Sequence, residues 1–98
     1  MVTHFSARTS KGFDEFRRDL DSALCRSFGA GVMRWSWGGY RLQITAPGAV
    51  GWVTFDEGAI TAEIKMSFPA TLMEEKITAD IRQMLAYASS QAVSEHRR

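Results

Sequence analysis

The sequence predicts a two-layer α+β domain, on three observations. Two segments repeat apolar residues at three- and four-residue spacing, as helices with one buried stripe do. Between them apolar and polar residues alternate, as in strands with one buried face. A sheet with a single apolar face needs a cover, and two amphipathic helices provide it. The expected sheet is four-stranded and mainly antiparallel, with both helices on one face, in the order β-α-β-β-β-α. One domain is expected over residues 1–90, with residues 91–98 a fraying tail. The pattern does not give the strand order.

"VTHFSAR", residues 2–8, is short and extended and ends at Thr9-Ser10. It reads as the first strand, and Ser10 as an N-cap for the helix that follows. Phe13, Phe16, Leu20, Ala23, Leu24 and Phe28 form that helix's apolar stripe. Asp14 precedes Arg18 by one turn on the exposed side. Gly29 stands where a helix-ending glycine belongs.

The period then changes to two. Met33, Trp35 and Trp37 alternate with Arg34 and Ser36; Tyr40, Leu42 and Ile44 alternate with Arg41 and Gln43. Gly38-Gly39 is the expected two-residue turn. That register sets 37 opposite 40, 35 opposite 42 and 33 opposite 44, with all six apolar side chains on one face. A one-residue slip would bury the arginines instead. Pro47-Gly48 marks the next turn. "GWVTF" and "AITAEIKMSF" continue the alternation around a four-residue loop, Asp56 to Ala59. Phe55 then faces Ile60. Val53, Phe55, Ile60, Ala62, Ile64 and Met66 point inward; Trp52, Thr54, Thr61, Glu63 and Lys65 point outward.

Pro69 ends the last strand. Thr71 and Glu74 have capping-box spacing and read as a helix start. Met73, Ile77, Ile81, Met84, Leu85 and Ala88 make the second stripe, with Glu74, Thr78, Asp80 and Arg82 toward water. A helix that begins Glu74-Glu75 does not match membrane-surface helices, which carry Lys and Arg on the polar face.

Composition narrows the function classes. The chain has 98 residues, 45% hydrophobic and 23% charged, with net charge +1. Near-neutral charge gives no electrostatic case for nucleic acid or acidic membrane as partner. A single cysteine, Cys25, excludes an internal disulfide and fits a reducing compartment. The N-terminal stretch lacks the apolar core of a signal peptide, and no apolar run approaches a membrane span. The expected location is cytoplasmic.

Few side chains suggest chemistry. Gly29-Ala30-Gly31 looks like part of a phosphate loop. It follows a helix and opens a strand, the reverse of what anion binding by helix N–H groups requires. His4 and His96 have no orienting partner nearby in sequence and no zinc-type spacing with Cys25. Cys25, beside the apolar stripe, reads as a buried inert thiol. Asp14, Glu15, Asp19 and Asp21 alternate with Arg17 and Arg18 and read as a solvated face. No catalytic, metal or cofactor-binding residue is expected. Trp52 stands apart: on the polar sheet face it reads either as a contact anchor or as a ring covered by helix ends or the N-terminal arm. The candidate interaction surface is Trp52, Thr54, Arg34, Arg41 and Gln43.

Four stretches in order carry a family resemblance: "SKGFDEFRRDLDSAL", "WGGYRLQI", "GAVGWVTFDEGAITAEIKMSF" and "EKITADIRQML". Together they resemble the small bacterial polyhydroxyalkanoic acid system proteins, over about residues 3–88. The family more often has a Pro-Phe-Lys-like entrance to the last helix, where this chain has "FPATLMEEK". The resemblance implies a place in the cytosolic storage-polyester system, at or near its granules, and supplies no catalytic residues. Three functions follow as expectations. The first is a non-enzymatic accessory protein that binds itself as a homodimer, another polyhydroxyalkanoate-system protein or the granule surface through the polar sheet face. The second is an acyl-ligand domain with a pocket between sheet and helices, lined by Met33, Trp35, Met66, Met73 and Met84. The third, disfavoured, is a double-stranded-RNA-binding module, because Glu74 and Glu75 at the helix entrance repel phosphate.

Overall fold

Antiparallel pairing runs unbroken through one six-stranded sheet in a computed structural model of the chain. Residues 2–27, 31–91 and 93–97 are described. The elements are β1 (Val2–Arg8), α1 (Phe13–Cys25), β2 (Arg34–Gly38), β3 (Arg41–Ala46), β4 (Ala49–Asp56), β5 (Ala59–Met66), a short 3-10 helix (Ala70–Met73), α2 (Glu74–Ser89) and β6 (Ser94–Arg97). The sheet order is β2-β3-β4-β5-β1-β6. The α+β class with two helices holds, but the expected four strands are six. The alternating segments on either side of Glu57-Gly58 are two strands, β4 and β5, and since Asp56 and Ala59 already pair, the loop between them has two residues rather than the expected four. Ser94–Arg97, in the tail expected to fray, pairs with β1 from Ser6↔Ser94 to Thr3↔Arg97.

The alternation of faces matches the expectation, and the register of the first hairpin does not. Trp37 faces Leu42 and Trp35 faces Ile44, two residues from the expected pairing. Gly38 is a strand residue opposite Arg41, and Gly39-Tyr40 makes the turn. Gly39, at φ +60°, supplies the positive φ that a glycine-first hairpin turn needs at its first central position. The Tyr40 carbonyl then accepts a hydrogen bond from the Phe55 amide at 2.9 Å, extending the ladder toward β4. A shift of two preserves the face, so Leu42 and Ile44 are buried, and Trp35 and Trp37 pack half-buried against the core. Tyr40 leaves the inward set: it is 63% exposed in the turn, though its ring meets Phe13 edge-on at 4.7 Å.

All six inward residues expected on β4 and β5 are buried, and Phe16, Leu20, Ala23 and Leu24 of α1 close on them. Phe16 packs on Phe55 with ring centroids 5.4 Å apart. Helix starts and ends differ from expectation. The N-cap of α1 is Gly12, not Ser10, and no side-chain cap bond forms there. Thr9 does the local work instead: its hydroxyl accepts the Lys11 amide and donates to the Ser89 carbonyl at 2.8 Å. It thereby satisfies one of the terminal carbonyls of α2, which lack helical partners. Among the described residues α1 ends at Cys25; Phe28 and Gly29, expected to finish it, lie outside them, as does most of the Gly29-Ala30-Gly31 stretch. The Thr71–Glu74 box does not form: residues 70–73 wind as a 3-10 turn and the N-cap of α2 is Met73.

Ile81, Met84, Leu85 and Ala88 of α2 are buried as expected. Thr78, expected in water, is 1% exposed, and its hydroxyl has no hydrogen-bond partner. Met73, expected inside, is 46% exposed, because the helix begins only after it. Cys25 is exposed rather than buried, because the stripe ends one residue before it.

Candidate functional site

Two concave surfaces stand out among the described residues once the core is formed. The first is the sheet face opposite the helices. Strand alternation brings Trp52, Thr54, Arg41 and Gln43 together there: Gln43 pairs with Trp52, and Arg41 with Thr54. Arg34 shares the face but lies apart, opposite Thr45 on edge strand β2. Trp52 is half-buried, with the Arg41 guanidinium 5.4 Å and the Lys65 ammonium 5.7 Å from its ring centre. Both cations reach it diagonally, from positions two along from its direct partners Gln43 and Glu63. Such contacts are worth about 0.5–1 kcal/mol each at exposed sites. The shallow depression around Trp52 is completed by His4, Thr61, Glu63 and Lys65.

Sequence reasoning left Lys65 and Glu63 out of this surface, although the β4–β5 register contained them. It also gave His4 no partner. Across β1 and β5 its Nδ1 lies 3.7 Å from Glu63 Oε2, close enough for an ion pair when the ring is protonated and longer than a hydrogen bond. Among the described residues the whole face carries four cations, Arg8, Arg34, Arg41 and Lys65, against two carboxylates, Asp56 and Glu63. The helices carry the reverse bias, seven carboxylates against four cations.

The expected acidic cluster on α1 is divided between two jobs. Asp19 accepts from Lys11 Nζ at 2.6 Å, and that bond holds its carboxyl below the ordinary aspartate range. Asp21 accepts the Trp37 indole N–H at 2.7 Å, fastening β2 to α1. Phe13 meets the same indole edge-on, and the Arg17 guanidinium lies over it at 5.3 Å. Arg18 sits 3.7 Å from Asp19 instead of pairing with Asp14.

The second surface is an apolar groove on the helix side. The ends of β3 and β4 floor it through Ile44, Ala46 and Gly51, and Pro69–Met73 and the first turns of α2 wall it. Its volume is about 350 Å³, within the usual range for ligand pockets. Of the methionines expected to line a pocket, Met33 and Met73 do, whereas Met66 and Met84 are buried in the core and Trp35 lies outside the lining. Leu72, 75% exposed, and Val32, 65% exposed, form its lips. Asp80 is the only ionisable residue of the lining among the described residues. Burial raises its carboxyl above the ordinary range, and the Lys76 ammonium offsets part of that rise. No cluster of three or more metal-type ligands occurs among the described residues. No described helix is long and apolar enough to cross a membrane.

Comparison with known proteins gives three findings. A solved structure titled "NMR structure of PA4090 from Pseudomonas aeruginosa" superposes with a TM-score of 0.57, covering 97% of this chain and 94% of that one. At 13% identity the likeness shows a shared fold. No curated protein matches the chain. A family model described as "Putative polyhydroxyalkanoic acid system protein" matches residues 4–88, nearly all of both layers, and the chain belongs to that family.

Proposed function

We propose that this protein is a non-enzymatic accessory component of bacterial polyhydroxyalkanoate storage, working in the cytoplasm at the granule and docking an acidic protein surface of that system through its open sheet face. Family membership supports the context. The observation that carries the mode is Trp52, half-buried at the middle of an uncovered face and flanked by Arg41 and Lys65. Aromatic and arginine side chains dominate protein contacts, and a cationic rim selects an acidic partner and speeds encounter. A two-fold homodimer through this face would set its cationic surplus against itself, which favours a different chain as partner.

The test is recovery of the protein with isolated granules, and with their proteins in solution, over a salt series. Trp52→Ala and Arg41→Gln are expected to weaken binding at least tenfold, with the wild-type interaction declining as salt rises. Unchanged recovery for both variants overturns the reading. Salt-sensitive gel shifts with RNA, lost in the same variants, would assign the face to nucleic acid instead.

A further inference from the structure

We propose that the groove between β3–β4 and α2 binds one medium-length aliphatic ester chain bearing a hydroxyl, its carbon chain along Ile44, Ile64 and Ile81 and its hydroxyl donated to Asp80. The choice of a hydroxyacyl ester rests on the storage-polyester reading above; the groove's size and charge stand independently of it.

Size sets the chain length. At about 30 Å³ for each water-sized group, the groove holds about a dozen heavy atoms. That is the scale of one medium-chain hydroxyacyl ester. The shape suits a chain: a floor of strand, a wall of helix, and exposed apolar lips of Leu72, Met73 and Val32. Methionine adapts to irregular apolar ligands at little cost.

Charge sets the head group. The lining contains no lysine, arginine or histidine among the described residues, and its one ionisable group, Asp80, repels a free carboxylate; the Lys76 ammonium, one turn back on α2 and outside the lining, already acts on Asp80. A fatty acid anion is therefore the wrong ligand, and an ester removes the conflict. A half-buried carboxyl beside the hydrocarbon lining loses part of the hydration it has in water, and a ligand hydroxyl restores one hydrogen bond to it. Its raised pKa reports the same desolvation. An aliphatic chain with no donor would displace water from Asp80 without replacing its hydrogen bond, which costs affinity.

The probes are methyl β-hydroxyoctanoate, methyl octanoate and octanoate, titrated into the full chain while the isoleucine methyl groups are followed by NMR. The hydroxy ester is expected to shift Ile44, Ile64, Ile77 and Ile81 and to bind about tenfold tighter than the plain ester, with octanoate weakest. Asp80→Leu is expected to erase that preference while still binding both esters. If this variant misfolds, the ranking of the three probes on the wild-type chain decides alone. Equal binding of both esters, octanoate binding tightest, or no methyl shift with any probe each overturns the proposal. Trp52→Ala must leave ester binding intact and Asp80→Leu must leave granule-protein docking intact, so failure at one surface is distinguishable from failure at the other.

Discussion

The two faces of the sheet are built from the same strands by the same alternation, yet they end in opposite states. On the helix side, Leu42, Val53, Ile60 and their neighbours are buried in a common core. On the other side, threonines, arginines and one tryptophan stay at the surface. The cover is also uneven along the strands. Phe13 of α1 clusters with Trp37, Tyr40 and Phe55 near the Gly39-Tyr40 end. Toward the Pro47-Gly48 end the strands meet the 3-10 turn and the start of α2, and the groove lies there. Alternation decides which side chains point inward; helix placement decides which of them are covered.

Substitutions on the two faces test this contrast. The largest effect belongs to the core: Phe16→Ala removes a fully buried ring and is expected to lower stability by about 3–5 kcal/mol in chemical denaturation. Next comes the groove end. At Gly48, where φ is +76°, an added Cβ would lie 2.7 Å from the Ser67 carbonyl oxygen and 2.8 Å from the Ala70 nitrogen. Gly48→Ala combines that overlap with a left-handed backbone costing about 1–2 kcal/mol, so destabilisation of about 2 kcal/mol or more is expected, with the residues beside the groove losing hydrogen-exchange protection first. Trp37→Phe keeps the ring packing and loses the bond to Asp21, a change of about 1 kcal/mol; a double-mutant cycle with Asp21→Ala should show the coupling. On the open face, Trp52→Ala gives up two cation–ring contacts at about 0.5–1 kcal/mol each together with partial burial, so a cost of about 1–2 kcal/mol is expected, well below that of Phe16→Ala. A cost as large as that of Phe16→Ala would mean the face is not open in solution.

The smallest effect is one of pH. A raised Asp80 pKa means that the folded state holds its proton more tightly than the unfolded chain. Its stabilising share is complete below the ordinary aspartate pKa and is lost as pH rises through the folded value. Asp19 has the opposite sign: its lowered pKa gives stability above the ordinary range that is lost as pH falls through the folded value. Thermal melts of Asp80→Asn should therefore lose less stability than wild type between acid and neutral pH. A steeper loss would contradict the burial of that carboxyl.

Much of the architecture was legible in the residues. The parity of β2 to β5, the stripe of α1 and the outward position of Trp52 follow from spacing alone. Turn residue choice was less legible, because Gly38-Gly39 and Gly39-Tyr40 both satisfy local turn chemistry and only the ladder from Tyr40 to Phe55 separates them. Strand β6 was not legible: Ser-Glu-His-Arg has no apolar alternation, and it pairs because β1 offers an edge. The groove was half legible. Met33, Ile44, Ile64, Met73, Ile77 and Ile81 were on the inward lists, but Val32 and Leu72 were on none and Asp80 was assigned to water, since helical periodicity places a residue on a face and says nothing about where the neighbouring layer stops. Thr78 was misplaced for the same reason.

The position of β1, between β5 and β6, has a consequence for biosynthesis. It leaves the ribosome before either neighbour, and its ladder partners are segments around residues 59–65 and 94–97. Those partners therefore arrive late, and contacts so distant in sequence form slowly. Until they do, both long edges of Val2–Arg8 are bare, with Phe5 uncovered, and a nascent chain in that condition invites chaperones or mispairing between neighbouring polypeptides.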